Sequence, residues 1–343
     1  MHKRSKSMFI LLAGFVGLLL VLSGCGRGVA MNTFGNHTII NFAFELPENH
    51  PWGEAAKEFK RIVEEESDGE LLVNLFPNGA LAASGREIQE GAKIGTVDIG
   101  ISSTPMSQLI PKVDLFSMPY LFENHEHAWE VLDSHLGMDI GKELEQHNLV
   151  FLSFWEDGFR QITTKNQDIK SVADFKSLKI RVPESELRIN TFKALGATPI
   201  SMPWSEVFTG LQQGAIDGQE NPLSVIASAS FFDVQEYLII SNHVYSPATV
   251  FMNKDKFDTL TTEQQEIIHH AIDVAKVFNR DLNKKQDEML QDELQEKGMT
   301  ISTIDDISEF RDATSQVRQE MIDSFSDAKE VQQLVDDIIN MDF

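Results

Sequence analysis

Between His37 and Ile101, runs rich in β-branched and aromatic residues alternate with amphipathic runs at helical spacing, and this alternation constrains the fold most. HTIINFAFEL, from His37 to Leu46, reads as a first strand. Pro51 to Ser67 follows as a helix, with Trp52, Ala55, Ala56, Phe59, Ile62 and Val63 on one stripe and Glu and Lys between them. Asp68-Gly69 stops it. Leu71 to Phe76 is a second strand closed by Pro77-Asn78-Gly79, Arg86 to Ile94 is helical, and Val97 to Ile101 is a short apolar strand. A β-α-β-α-β order predicts a mostly parallel sheet with helices on both faces.

Further along, Asn124 caps a helix running to about Gln146, and Leu149 to Phe154 reads as a buried strand. Around Trp155–Gly158 the pattern restarts. Strand-like Arg160–Thr164 and Lys179–Val182 flank a short helix at Val172–Phe175, and helix Glu186–Leu195 follows. Thr261 or Thr262 opens a long helix through Gly298, with Gln264 or Gln265 completing a capping box. Ile267, Ile268, Ala271, Val274, Ala275 and Phe278 form its apolar stripe. At 1.5 Å per residue it would reach ~55 Å. That is too long for one lobe, so the helix either breaks or crosses two.

The amino terminus carries an address. Lys3, Arg4 and Lys6 precede the apolar run Met8–Leu22, the order of a secretory signal. The run is short of the ~20 residues that span a bilayer. It ends in Leu22-Ser23-Gly24-Cys25, which resembles the bacterial lipobox, where the cysteine is lipidated and cleavage falls just before it. An ordinary signal peptide, or an anchor that happens to contain a cysteine, is the alternative. Cys25 is the only cysteine, so no intramolecular disulfide supports the fold. Removing residues 1–24 leaves 26 of the 29 Lys and Arg against all 53 Asp and Glu, a formal charge of −27. Such acidity argues against nucleic acid as a partner. The segment 25–37 reads as a lipidated tether, and a body of roughly 305 residues predicts two lobes.

The chemistry concentrates between Gly158 and Leu223. Arg181 lies in the strand LKIRVP, with Ile180 and Val182 on the opposite face. A guanidinium at a strand's carboxyl end, beside the crevice of an open α/β sheet, suits bidentate capture of a carboxylate. A solvated arginine or an internal salt bridge fits the same pattern. Arg160 follows Gly158 and opens a strand. Asp217-Gly218-Gln219-Glu220-Asn221-Pro222 reads as a polar turn before a helix. Neither G-x-S-x-G nor H-E-x-x-H occurs, so no enzyme motif is present. His125 and His127, with Glu126 and Glu130, are the densest metal-like cluster, but a solvated helix face explains them more simply. Nothing demands a cofactor or a metal.

Taken together, GFRQITT, DFKSLKIRVP, ALGATP, MPWSEVF and LQQGAIDGQENP resemble the DctP-type solute-binding proteins of tripartite ATP-independent periplasmic (TRAP) transporters. The likeness extends upstream through Pro51–Ser67, the NGAL turn at Asn78–Leu81, EGAKIGTVDIG and Met118-Pro119-Tyr120. It implies an α/β, two-lobed periplasmic-binding-protein-like fold with mixed sheets, a hinge and a long lobe-spanning helix. It further implies a monomeric, non-enzymatic receptor on the outer face of the membrane, which closes on an organic acid and passes it to small and large permease subunits. By resemblance, Arg181 makes the main salt bridge to the substrate carboxylate and Arg160 supports it from the adjacent strand. Asn221 hydrogen-bonds the same carboxylate, and Trp204 packs on the ligand.

In the first lobe, Glu45 stands where sialic-acid binders have asparagine, and Ser102, Ser103 and Thr104 stand where they have an acidic residue. Sialic acid is thereby disfavoured. Glu45 repels a second carboxylate but accepts from hydroxyls, which tilts the reading toward a sugar acid or uronate over a C4-dicarboxylate. Glu45 and Ser103 complete the expected site. The expected lobes are 38–157 with about 247–286, and 158–246 with about 287–343. A lipid-anchored sensor for a signalling partner would use the same binding chemistry, and an exported enzyme is the remaining alternative.

Overall fold

The computed structural model describes residues 37–341, and the leader, Cys25 and most of the tether lie outside them. β1 (Thr38–Ala43), α1 (Pro51–Glu66), β2 (Leu71–Phe76), α2 (Gly85–Lys93) and β3 (Ile99–Ser102) follow the expected order. β1 pairs in parallel with both β2 and β3. α1 is N-capped by His50, whose ring accepts the Trp52 amide, and its stripe is buried as the spacing predicts.

The helix expected from Asn124 to Gln146 is two helices, α3 (His125–Asp133) and α4 (His135–Lys142), followed by a 3-10 turn. Ser134 makes the break. Its backbone closes α3 while its hydroxyl accepts the Leu136 amide and starts α4. The cluster His125/His127 is not a solvated face either. His127 is buried and bonded to the Ile338 carbonyl, and His125 contacts Glu156 at 2.6 Å. Among the described residues no group of three His, Cys, Asp or Glu is placed to hold a metal ion.

β4 (Leu149–Thr164) is one continuous 16-residue strand where two were expected. What reads as a restart at Trp155–Gly158 is a bulge. The register with its antiparallel neighbour shifts between Glu156 and Gly158, leaving Asp157 unpaired. Next come β5 (Lys179–Val182), α5 (Glu186–Ala194), β6 (Thr198–Ser201), α6 (Val207–Gln212), β7 (Gly218–Pro222) and α7 (Leu223–Ser228). The polar segment read as a turn is therefore strand β7, buried between β4 and β5. Burial on both sides lets its polar residues find partners in neighbouring strands, which local turn propensity does not register. The chain continues through β8 (Tyr237–Ile240), β9 (Tyr245–Asn253), α8 (Lys254–Asp258) and α9 (Thr262–Glu296). It closes with β10 (Thr300–Thr303), α10 (Ile307–Ser324) and α11 (Ala328–Ile339).

The strand order β2-β1-β3-β9-β4-β7-β5-β6 has β4 as its shared member. Residues 149–159 of β4 pair with β9, and residues 160–164 pair with β7, so one strand belongs to two half-sheets. Each half-sheet is flanked by two apolar clusters. The first half packs against α1 and Ile268–Ala275 of α9, and the second against Leu290 and Leu294 of the same helix. The long helix thus runs unbroken across both halves. α10 does likewise, with Phe310 in a cluster of the second half and Ile322 in one of the first.

Candidate functional site

A cleft opens between the half-sheets, with about 470 Å³ of empty space when its open mouth is counted. Glu45, Ser103, Arg160, Arg181, Trp204 and Asn221 all line it. Glu45 comes just after β1, Ser103 just after β3, and Arg160 lies beyond the β4 bulge. Arg181 and Asn221 sit near the carboxyl ends of β5 and β7, where parallel strands place ligand contacts.

The two arginines differ in what surrounds them. Arg160 is enclosed. It pairs with Glu220, lies 3.0 Å from Asp157, and donates to the Asn221 side-chain oxygen at 2.8 Å and the Glu220 carbonyl at 2.6 Å. It does not stand on the strand adjacent to Arg181, as expected. β7 separates β4 from β5 and supplies Glu220 and Asn221 between the two guanidinium groups. Burial disfavours the Glu220 charge, but Arg160, Arg188 and a hydrogen bond from His243 outweigh it and hold the carboxyl well below the usual range.

Arg181 donates Nε and one terminal nitrogen to the Met202 carbonyl at 3.0 and 2.7 Å, which fixes its plane. Among the described residues no carboxylate lies within ion-pair distance of it. Burial, reinforced by the charge of Arg160, pushes its guanidinium down to about 10, still protonated at neutral pH. The arrangement is a preorientated cation without a local counterion.

Several residues missed in the sequence complete the cleft. Asp157, turned in by the bulge, accepts from Ser103 Oγ at 3.0 Å, and burial raises its carboxyl to about 6. Glu45 accepts the Gly85 amide at 2.7 Å. Trp52, Pro183 and Glu184 line the walls, and Glu184 lies 3.8 Å from Arg86 of the first half. Trp204 sits on a 3-10 turn with its ring 5.8 Å from Phe231. Glu220 stood inside the QENP motif and was legible there only as turn chemistry. Asp157 had no signal, because a bulge is a register property of two strands.

Comparison with known proteins places this architecture in a family. The family model for bacterial extracellular solute-binding protein, family 7 (DctP) matches residues 42–324. The chain belongs to this family of TRAP transporter solute-binding proteins, which are extracytoplasmic receptors and not enzymes. It is 35% identical to the 2,3-diketo-L-gulonate-binding periplasmic protein YiaO of Escherichia coli K12, over 87% of this chain and 92% of that one. It is also similar to the sugar acid binding protein DctPAm of Advenella mimigardefordensis in complex with galactonate. That structure shares 31% identity at a TM-score of 0.85 and covers 89% of this chain and 98% of its own. A TRAP periplasmic solute-binding protein of Polaromonas sp. JS666 bound to D-erythronate gives 29% identity and a TM-score of 0.85, covering 90% of this chain and all of its own. Among the described residues no helix is long and apolar enough to cross a membrane.

Proposed function

We propose that this protein closes its two lobes on a sugar acid or uronate-type monocarboxylate and delivers it to the small and large membrane subunits of a TRAP permease. The observation that carries this reading is the charge arrangement of the cleft. Arg160 is occupied by Glu220 and Asp157, which leaves one guanidinium, Arg181, for one ligand carboxylate. Around it stand Glu45, Asp157, Ser103 and Asn221, groups that hydrogen-bond hydroxyls rather than a second carboxylate. A C4-dicarboxylate would place its second charge among acids. The ligands of the three relatives, diketo-gulonate, galactonate and erythronate, are oxygenated monocarboxylates and support the same class.

In this reading Arg181 makes the main salt bridge, Asn221 and Arg160 frame the carboxylate, and Trp204 packs on the carbon chain. Glu45 and Ser103 meet the hydroxyls. Residues 38–157 with about 247–286 form one lobe, and 158–246 with about 287–343 form the other. The receptor acts as a monomer, held by lipid on Cys25 at the outer face of the cell membrane. A thermal-shift screen of galactonate, galacturonate and gulonate against succinate and malate tests the ligand class. A true ligand at a hundred times its Kd stabilises the protein by about 2.7 kcal/mol. Stabilisation by dicarboxylates alone would refute the class. Labelled palmitate entering the wild type but not Cys25→Ser tests the anchor, and loss of receptor-dependent uptake in cells lacking the permease tests delivery.

A further inference from the structure

Glu45 poses a charge problem that the acid-binding reading sharpens. Its carboxylate lines the cleft, only partly exposed, and the one hydrogen bond it accepts among the described residues comes from Gly85 at 2.7 Å. That amide is the first of α2, so the helix end favours the anion. Against this stand two acids facing it, Asp157 on the β4 bulge and Glu184 after β5. The cation facing Glu45 is Arg181 on β5, too far for an ion pair but close enough for its field to act. Arg86 is engaged with Glu184, and Arg160 with Asp157 and Glu220. An acid that binds Arg181 therefore takes the one guanidinium that, among the described residues, faces Glu45 without a carboxylate partner of its own, and leaves the α2 helix end alone to favour the Glu45 anion. Two carboxylates cannot share one guanidinium in a closed cleft without a large cost.

We propose that the cleft takes up a proton together with its acid, and that Glu45 receives it. This deepens the assignment of an acid ligand and rests on it. The ligand carboxylate sits directly on Arg181 and stays ionised, so the proton drawn from solvent goes to the carboxyl without an ion pair. Protonated Glu45 then keeps Gly85 as a donor on one oxygen and presents an O–H to the ligand from the other. That O–H can donate to a carbonyl or hydroxyl oxygen, which an anionic Glu45 cannot do. In keeping with this geometry, burial followed by the neighbouring acids already raises Glu45 to about 7 before any ligand arrives.

Calorimetry of galactonate binding in phosphate and in Tris at one pH reads the proton directly, because the two buffers differ in ionisation heat. Wild type is expected to take up between about half and one proton per acid near neutral pH, and its affinity to fall by close to tenfold per pH unit above Glu45's titration. Glu45→Gln keeps an acceptor for Gly85, and is expected to lose the uptake and the pH slope. Equal heats in both buffers for wild type, or undiminished uptake in Glu45→Gln, would overturn the proposal. A second arm needs no ligand. The unfolding midpoint of wild type relative to Glu45→Gln should fall as pH rises from 5 to 8, because the folded state holds the proton that the unfolded chain releases. A flat difference overturns the proposal, whereas failure of galactonate to bind, with that difference present, refutes only the ligand class.

Discussion

Arg181 in the cleft and His50 at the start of α1 illustrate how much depends on single atoms. Arg181 is held in plane by two hydrogen bonds to one carbonyl, a geometry that lysine cannot reproduce. Arg181→Ala is expected to abolish acid binding in calorimetry with the fold intact, and Arg181→Lys to weaken it by roughly 10–100-fold, about one charge-assisted hydrogen bond. Near-normal affinity in either variant would displace Arg181 from the site. His50 is buried with its Nδ1 accepting the Trp52 amide and its Nε2 3.2 Å from Ser224 Oγ, so the ring is neutral. Burial lowers it to about 3. The unfolded chain therefore binds a proton that the folded one refuses, and stability falls as pH drops below 6.5. Asparagine at this position keeps the helix cap without titrating. His50→Asn should flatten the loss of stability between pH 6.5 and 4 in urea titrations, and an unchanged slope would assign that loss to other groups.

At the scale of elements, the β4 bulge and the β4–β7 contact shape the cleft. Gly158 holds φ of +119°, which side chains rarely adopt, although an added Cβ would meet nothing closer than 3.6 Å. Gly218 is the reverse case: a Cβ there would lie 2.3 Å from the Thr163 carbonyl oxygen of β4. Gly158→Ala is expected to cost about 1–3 kcal/mol through backbone strain. Gly218→Ala should cost more, because it separates the strands that carry Arg160 and Asn221 and so weakens ligand binding as well. Urea midpoints and calorimetry on both variants check the order, and a harmless Gly218→Ala contradicts the packing described. Elements with strong period and clean stops were legible in advance, as α1, β2 and β5 show. β7 was not, because its polar residues are satisfied by strands distant in sequence. The break at Ser134 was missed for a related reason, since a serine reads the same way within a helix and between two.

Across the whole molecule, three elements tie the halves together: β4, α9 and α10. Apolar clusters on both halves draw on the same two helices, so loss of one half exposes core belonging to the other. Calorimetry should give a single unfolding transition that moves upward with the ligand, and two resolved transitions would show that the halves fold independently. Because the halves are joined by continuous elements, the proposed closure would bend those elements rather than swing about a free linker, and contacts such as Ser185 to Asp114 at 2.9 Å are where the halves meet.

The sequence by itself determined the βαβ order, the long capped helix, the family and six of the residues that line the cleft. Those features are local: a period, a cap, a motif. Only the tertiary structure decided which arginine is free. Arg160 and Arg181 look alike along the chain, and the difference between them is made by Glu220 on an intervening strand and Asp157 on a bulge. Charge compensation in a buried cleft depends on distances of a few ångströms between residues far apart in sequence, and these exist only once the strands have paired.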